Sequence, residues 1–542
     1  MTTSPLTIAS HLVRRLHEHG VHEGFGIVGD FVLKFVGELD ALDLPILNTT
    51  DEQGAGFAAD GYARVRGLGL AVCTYGVGGL KLANAAANAW AEQVPVLFVS
   101  GAPGNAERQG APLLHHRVKD FETQLRVFQD LTCAQAVLSS AHNAADEIDR
   151  VLGEMLATQR PGYVEIPRDM VGVEIDAPTV GIAPHLPDVD RTALKHAVDD
   201  VVAELVAANT AVIHAGALVE RRGAADALYR LATKAGIPVA TSSLGRGVFP
   251  ERHELGLGVY LGALSPEHVV RRVEDADVLL SVGVLQTDLT LGAFTANIDH
   301  ERYILVGDTE VTVGYRTYKD VPLWAFLPAL ADAVALTHIN VDHAPIDAHP
   351  VFVPSADHIT VERVVAAVES HVHEAHSLLL DPGEALFSAV DMRVPKYAHG
   401  SAYYATMGYA IPAALGVGKA DPASRPVVIT GDGSFAMTGL EVAACAFHDV
   451  PAIVIVLDNS GYGTQRPILD GRFNEIPPMA VEHLPEVFGA GQGLLAETEA
   501  ELDAALSTAV ASDELFIIRV VLPKHARSAA LGRLGAALAS RA

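Results

Sequence analysis

Short runs of apolar, β-branched residues recur along the chain. Each ends in glycine or a small polar residue, and a stretch with helical periodicity usually follows. In the first third, Gly24 to Val28, Leu44 to Leu47, Ala71 to Tyr75 and Val94 to Ser100 read as strands, with helices over 6–19, 53–65 and 80–92. The middle third repeats the pattern, with strands at Ala211 to Ala215, Pro238 to Thr241, Val278 to Val282 and Arg302 to Val306. The last third offers a helix from Val361 to His373 and strands at Ser377 to Leu380, Val427 to Thr430 and Ala452 to Leu457. A helix from Thr438 to His448 is predicted between the last two. Strands that are apolar throughout are covered on both faces, as in parallel sheets. Their alternation with helices predicts an α/β protein of three consecutive doubly wound parallel-sheet domains. Proline- and aspartate-rich stretches at Asp176 to Asp190 and His338 to Asp357 read as linkers. The expected domains are therefore 1–178, 190–338 and 358–542.

Composition agrees with large covered sheets: 49% of the 542 residues are hydrophobic and 19% charged. The formal net charge of −28 argues against nucleic acid or an anionic membrane as partner. Cys73, Cys133 and Cys445 are odd in number and far apart, so neither a disulfide framework nor a zinc site is indicated. The N-terminal stretch lacks the apolar core of a signal peptide and reads as a capped amphipathic helix, and no run is long enough to span a membrane. A cytoplasmic protein is expected. The histidines of the second linker sit at proline-broken spacing that does not set ligands on one face, so a metal reading there has little weight.

The chemistry concentrates between Arg425 and Arg466. A strand ends at Gly431-Asp432-Gly433, a helix follows, and the next strand ends at Asp458-Asn459, which is a βαβ unit. Ligands of such units bind beyond the carboxyl ends of the strands, so Asp432 and Asn459 should emerge side by side. Their hard oxygens suit Mg²⁺ or Ca²⁺ carrying a diphosphate. A glycine-aspartate-glycine turn alone is common and need only cap a helix. The turn with an asparagine 27 residues after the aspartate is far more specific. In the first domain, Gly76-Val-Gly-Gly79 suggests a dinucleotide fingerprint, but Lys81 occupies the place of the required last glycine. A tight strand-to-helix turn is the better reading.

The segment from Gly431 to Asn459 resembles the thiamine diphosphate motif, and the chain is similar to thiamine diphosphate-dependent decarboxylases of the pyruvate, indolepyruvate and phenylpyruvate type. A glutamate, Glu52, stands just before a helix carrying Ala58-Ala-Asp-Gly-Tyr-Ala-Arg64, as in that family. Asp30 follows the first strand in Gly29-Asp30-Phe31, and the only adjacent histidine pair, His115-His116, follows Ser100-Gly-Ala-Pro103 by a loop. The resemblance implies a pyrimidine-binding first domain, a Rossmann-like middle domain and a diphosphate-binding third domain. It implies that Asp432, Asn459 and the Gly461 carbonyl bind Mg²⁺, with Gly433 and Ser434 beside the diphosphate. Met407 would prop the cofactor and the Ala405 carbonyl would accept from its amino group. Glu52 would share a proton with the aminopyrimidine, and Asp30, His115 and His116 would move protons. In this family the two domains contributing one cofactor site come from different subunits, so a homodimer at least, and a tetramer of two dimers, is implied. The small-residue helices Gly54 to Tyr62 and Tyr409 to Gly418 suit close packing, at such an interface or inside one domain.

Two positions depart from the pattern. Gln465 stands where pyruvate decarboxylases carry a glutamate, and an amide cannot shuttle a proton as a carboxyl does. Asp381-Pro-Gly-Glu384 replaces the usual threonine-containing turn. With Tyr462, Pro382 and Leu386, Gln465 marks the expected substrate pocket, and both changes point to an aromatic or long-chain 2-oxo acid rather than pyruvate. The expected activity is non-oxidative decarboxylation of a 2-oxo acid to an aldehyde and CO₂. The alternatives are a carboligase that joins the reacting carbon to a second carbonyl, and a non-catalytic thiamine diphosphate-binding regulator. Glu52 argues against the regulator, because binding alone needs only the diphosphate site.

Overall fold

The computed structural model describes residues 5–182, 186–335, 351–394 and 396–540. Positions 183–185 of the first predicted linker and 338–350 of the second lie outside the described residues. Among the described residues there are three sheets. The first contains β1 (Gly24–Ile27), β2 (Ile46–Asn48), β3 (Gly69–Cys73), β4 (Val96–Ala102), β5 (Ala134–Val137) and β6 (Gly162–Pro167), all parallel, in the order β2-β1-β3-β4-β6-β5. The second contains β7 (Ala211–Ala215), β8 (Val239–Thr241), β9 (Gly256–Val259), β10 (Val278–Val282) and β11 (Tyr303–Val306) in parallel. The antiparallel β12 (Glu310–Val313) and β13 (Arg316–Lys319) close its edge, for an order of β13-β12-β11-β10-β7-β8-β9. The third contains β14 (His376–Leu380), β15 (Tyr397–Gly400), β16 (Arg425–Gly431), β17 (Ile453–Asp458), β18 (Gln492–Ala496) and β19 (Phe516–Val521), parallel, in the order β15-β14-β16-β17-β19-β18. The expectation of three parallel-dominated α/β sheets holds.

The central strands are the apolar runs. β3, β4, β7, β10 and β14 are buried along their whole length, which is why they carry no polar alternation. Two predicted helices start earlier than expected. The one expected over 80–92 begins at Val77, directly after Gly76. The helix expected over 438–448 instead starts at Asp432 itself, runs to Thr438, passes through a 3₁₀ turn at Gly439–Glu441 and resumes at Val442–Phe447. The interruption coincides with Gly439, which costs more in a helix than any other residue but proline.

The chain forms two compact units. The first comprises Met1–Leu186, Gly408–Ala423 and Thr438–Ala452, and the second comprises Pro187–Met407, Ser424–Met437 and Ile453–Ala542. Inside the first, helix Glu52–Arg66 lies against helix Ala410–Ala420 at backbone contact. A Cβ on Gly61 would sit 2.4 Å from the Ala413 carbonyl oxygen, and one on Gly416 would sit 1.8 Å from that of Ala58. The small residues of both helices are therefore used against each other within one chain. The Ala58–Arg64 motif has a structural role at the same seam. Buried Asp60 accepts from Arg64 Nε (2.7 Å), Asn88 Nδ2 (3.0 Å) and the Tyr409 hydroxyl (2.7 Å). Inside the second unit, buried Arg246 pairs with Glu251 through two bonds of 2.9 and 2.8 Å and also donates to the Ala389 carbonyl. This ties the loop after β8 to the segment after β14. No helix among the described residues is long and apolar enough to cross a membrane.

Candidate active site

Each unit carries one group of the predicted residues. In the first unit, Asp51 caps helix Glu52–Arg66, its side chain accepting from Gln53 N–H at 2.8 Å, so Glu52 occupies the first helical position and is buried. The glycines of Gly76–Gly79 make this site possible. Gly76 holds a left-handed φ of +71° under the His116 carbonyl, where a Cβ would approach to 2.3 Å. A Cβ on Gly78 would lie 3.2 Å from Glu52 Oε1, and one on Gly79 would strike Gln124. Gly76 thus lies against the histidine pair, and Gly78, in the first turn of helix Val77–Ala91, lies against Glu52.

Asp30, His115 and His116 form one cluster whose ligand-type atoms all lie within 4.8 Å of one another. His115 Nε2 is 3.0 Å from Asp30 Oδ2. The two imidazoles meet edge-on at 4.7 Å and both pack on Phe31, at 4.9 and 5.9 Å. Arg168 approaches from outside, 3.6 Å from Asp30 and 4.9 Å from the Phe31 ring, held by Glu107. His116 Nδ1 is buried without a hydrogen-bond partner among the described residues. Asp30 and His115 are joined by a hydrogen bond, and His116 packs edge-on against His115 with its buried Nδ1 still free to bond.

In the second unit, β16 and β17 are paired so that Gly431 faces Leu457, and Asp432 and Asn459 leave the sheet at the same edge. Asp432 is buried and accepts from Gly433 N–H (2.7 Å) and Gly461 N–H (2.8 Å). Burial pushes its carboxyl well above the usual carboxylate range. The two N–H groups oppose this and neighbouring Asp458 adds to it. Asp432, Asn459 and Gly461 line one cavity, and a carboxyl raised by burial with an amide and a backbone carbonyl in the same wall is a donor set that a divalent cation fits and would relieve. The loop bearing Gly461 is held firmly. Ser460 and Gly461 have φ of +61° and +133°, and a Cβ on Gly461 would lie 1.9 Å from the Asn474 carbonyl. Buried Arg466 donates to the Ser460 carbonyl (3.0 Å), the Asn474 carbonyl (3.4 Å) and Asp470 (2.9 Å).

A cavity of about 440 Å³ opens beside this edge. Its wall includes every residue expected in the third domain: Ala405, Met407, Asp432, Gly433, Ser434, Asn459, Gly461, Tyr462, Gln465, Pro382 and Leu386. Ala405 takes a φ of +56°, uncommon for a residue with a Cβ and consistent with a backbone shaped around a ligand. Gly433 leaves room for Tyr462 and Met407, whose atoms would lie 2.7 and 3.5 Å from a Cβ there.

Several residues of these sites escape a reading by motif. Glu441 is buried and accepts from Thr50 N–H (3.1 Å) and Asp51 N–H (3.0 Å), fixing the turn before Glu52. Gly54 makes this possible, since its Cβ would lie 2.0 Å from Glu441 Oε1. Leu289, from the loop after β10, reaches the cavity, and Glu384 lines it too. Nothing local marks these residues. The one available signal was negative, a glutamate where a threonine-containing turn is usual.

Three family descriptions match the chain in order: thiamine pyrophosphate enzyme N-terminal TPP binding domain over 6–127, central domain over 198–334, and C-terminal TPP binding domain over 383–520. Similar proteins include an indole-3-pyruvate decarboxylase of Azospirillum brasilense, 34% identical over 97% of both chains. An alpha-keto-acid decarboxylase of Mycobacterium leprae is 32% identical over 96% of this chain and 93% of its own. One of Mycobacterium tuberculosis H37Rv is 32% identical over 98% and 97%. With the three domains matched in order and relatives 34% and 32% identical along nearly its whole length, the chain belongs to the thiamine diphosphate-dependent 2-oxo acid decarboxylases.

Proposed function

We propose that this decarboxylase acts on an aromatic or long-chain 2-oxo acid, releasing the aldehyde and CO₂ without oxidation, as a cytoplasmic Mg²⁺-dependent homodimer or dimer of dimers. The observation that carries the substrate reading is the cavity wall: Gln465 replaces a carboxyl there, and Leu289, Leu386, Phe387 and Met407 supply apolar surface. A similar protein is named an indole-3-pyruvate decarboxylase, which supports the same substrate class. When bound, thiamine diphosphate supplies a carbon nucleophile for the keto group and an electron sink for the departing carboxyl. Asp432, Asn459 and the Gly461 carbonyl would hold the metal, and Gly433 and Ser434 would flank the diphosphate. Met407 would prop the cofactor, the Ala405 carbonyl would orient its amino group, and Glu52 would share a proton with its ring nitrogen. Asp30, His115 and His116 would deliver the proton that completes the aldehyde, a task Gln465 cannot perform.

The test is a substrate panel of pyruvate, a branched-chain 2-oxo acid, phenylpyruvate, indolepyruvate and benzoylformate. The expected kcat/KM for phenylpyruvate or indolepyruvate exceeds that for pyruvate by tenfold or more, about 1.4 kcal/mol of transition-state discrimination. A value for pyruvate equal to or above theirs would sink the substrate reading. Gln465 also favours a second reading, carboligation, because slower protonation leaves more time for a second carbonyl to react. Product analysis with and without added benzaldehyde separates the two.

A further inference from the structure

Lys81 breaks the dinucleotide fingerprint, and the structure places it in contact with the most important carboxylate of its unit. Its Nζ lies 3.0 Å from Glu52 Oε2 and also pairs with Asp51. The Glu52 side chain is 10% exposed and that of Lys81 51%, so the ammonium reaches in from solvent over the head of helix Glu52–Arg66. Helix Val77–Ala91 sets it there: the close approach of Gly78 to Glu52 puts the next turn, with Lys81, directly beside the carboxylate. Hydrogen bonds to Asp51, then to Glu52, hold the ammonium above its ordinary proton affinity.

The charged and titratable groups that face this carboxylate within the first unit are few. Asp51 adjoins it as the N-cap of its helix. Glu441 approaches from the 438–452 stretch, its carboxylate bound to Thr50 and Asp51 N–H. Cys73 lies at the end of β3 beside Gly78, and the His116 carbonyl covers Gly76. His448 bonds the Asn48 carbonyl at 2.8 Å. Gln53 and Asn84, neutral, pair with each other at 3.3 Å. Against three carboxylates, Lys81 is the cation that touches Glu52 among the described residues of this unit.

We propose that Lys81 is a positioning residue, the counter-ion of Glu52, which sets how tightly Glu52 and the cofactor's ring nitrogen hold the proton they share. This rests on reading Glu52 as the group that meets the aminopyrimidine. A cation beside a carboxylate favours its ionised form, so the shared proton is given up at lower pH than it would be among Asp51, Glu52 and Glu441 alone. Without the ammonium the same pair would hold its proton to higher pH.

The experiment is titration calorimetry of the full-length protein with thiamine diphosphate in excess Mg²⁺, across pH 5.5 to 9. At each pH it uses two buffers of different ionisation enthalpy, which yields the protons taken up per cofactor bound. The expected result is that Lys81→Met displaces the uptake curve to higher pH and that Lys81→Arg restores the wild-type curve. A role confined to supporting the Asp51 cap would lower the thermal midpoint or the affinity of Lys81→Met equally at every pH, and superimposable uptake curves would overturn the proposal. Failure of the underlying reading looks different: Glu52→Gln would then show the same proton uptake as the wild type, whatever Lys81 does.

Discussion

Glu384 shows at the residue scale how burial stores a pH dependence. Its carboxyl lies within the protein, accepts from Ser528 N–H at 3.3 and 3.2 Å, and is pushed from the ordinary 4.5 to about 6, chiefly by burial. A carboxyl that binds its proton more tightly folded than unfolded weakens the fold progressively as pH rises from about 4.5, and to the full extent above about 6. It ceases to do so as pH falls below the ordinary carboxylate range. The penalty is about 2 kcal/mol at pH 7 to 8. Glu384→Gln carries no charge and keeps an oxygen for Ser528, so it is expected to be more stable than the wild type by up to that amount at pH 8. The advantage should shrink to nothing near pH 4.5. Denaturation midpoints of both proteins across this range check it, and a pH-independent difference would refute the account.

At the scale of elements, the contact between helices Glu52–Arg66 and Ala410–Ala420 positions Glu52, because the same helix bears the carboxylate at its head and the close contact on its flank. Gly416→Ala would drive a methyl into the Ala58 carbonyl at 1.8 Å and the Tyr62 nitrogen at 2.7 Å. Backbone cannot rotate away as a side chain can, so a loss of about 3 kcal/mol is expected, read as a lowered unfolding midpoint. Gly37, exposed in helix Leu33–Ala41 with nothing within 4 Å of its Cβ position, is the control. There Gly37→Ala should raise stability by about 1 kcal/mol, since only the backbone entropy of glycine is removed. If both substitutions act alike, packing at Gly416 is not what constrains that helix pair.

At the scale of the whole molecule, the two groups of site residues lie in different compact units, Glu52 in the first and Asp432 in the second. On the proposal that the working enzyme is at least a dimer whose cofactor sites are shared between chains, complementation follows. Glu52→Gln and Asp432→Ala should each be inactive alone. After dissociation and reassociation of an equal mixture, half of the dimers are mixed, and each mixed dimer has one site with both defects and one with neither. About a quarter of wild-type CO₂ release should then return. If no mixture regains activity, each chain builds its own site and the shared-site proposal fails.

The chemistry of this protein was legible along the chain because its signals are local. Asp432 and Asn459 end neighbouring strands of one βαβ unit, and strands buried on both faces must be apolar throughout, so β7, β10 and β16 announce themselves. Others did not: β5 has alternate residues half-buried and β12 and β13 form a mostly solvent-facing edge, but β6, buried throughout, and β19 were missed as well, so burial alone does not make a strand legible. The start of helix Asp432–Thr438 was missed because capping and propensity at a glycine-rich turn are weaker than the strand that feeds it. Only the tertiary structure decided who meets whom. Asp60 finds Tyr409 across 349 residues, Glu441 reaches back to Asp51 across 390, and Lys81 lands on Glu52 by the packing of two helices. Partners so distant in sequence leave no trace in periodicity or spacing, because what joins them is the geometry of strands and helices already packed.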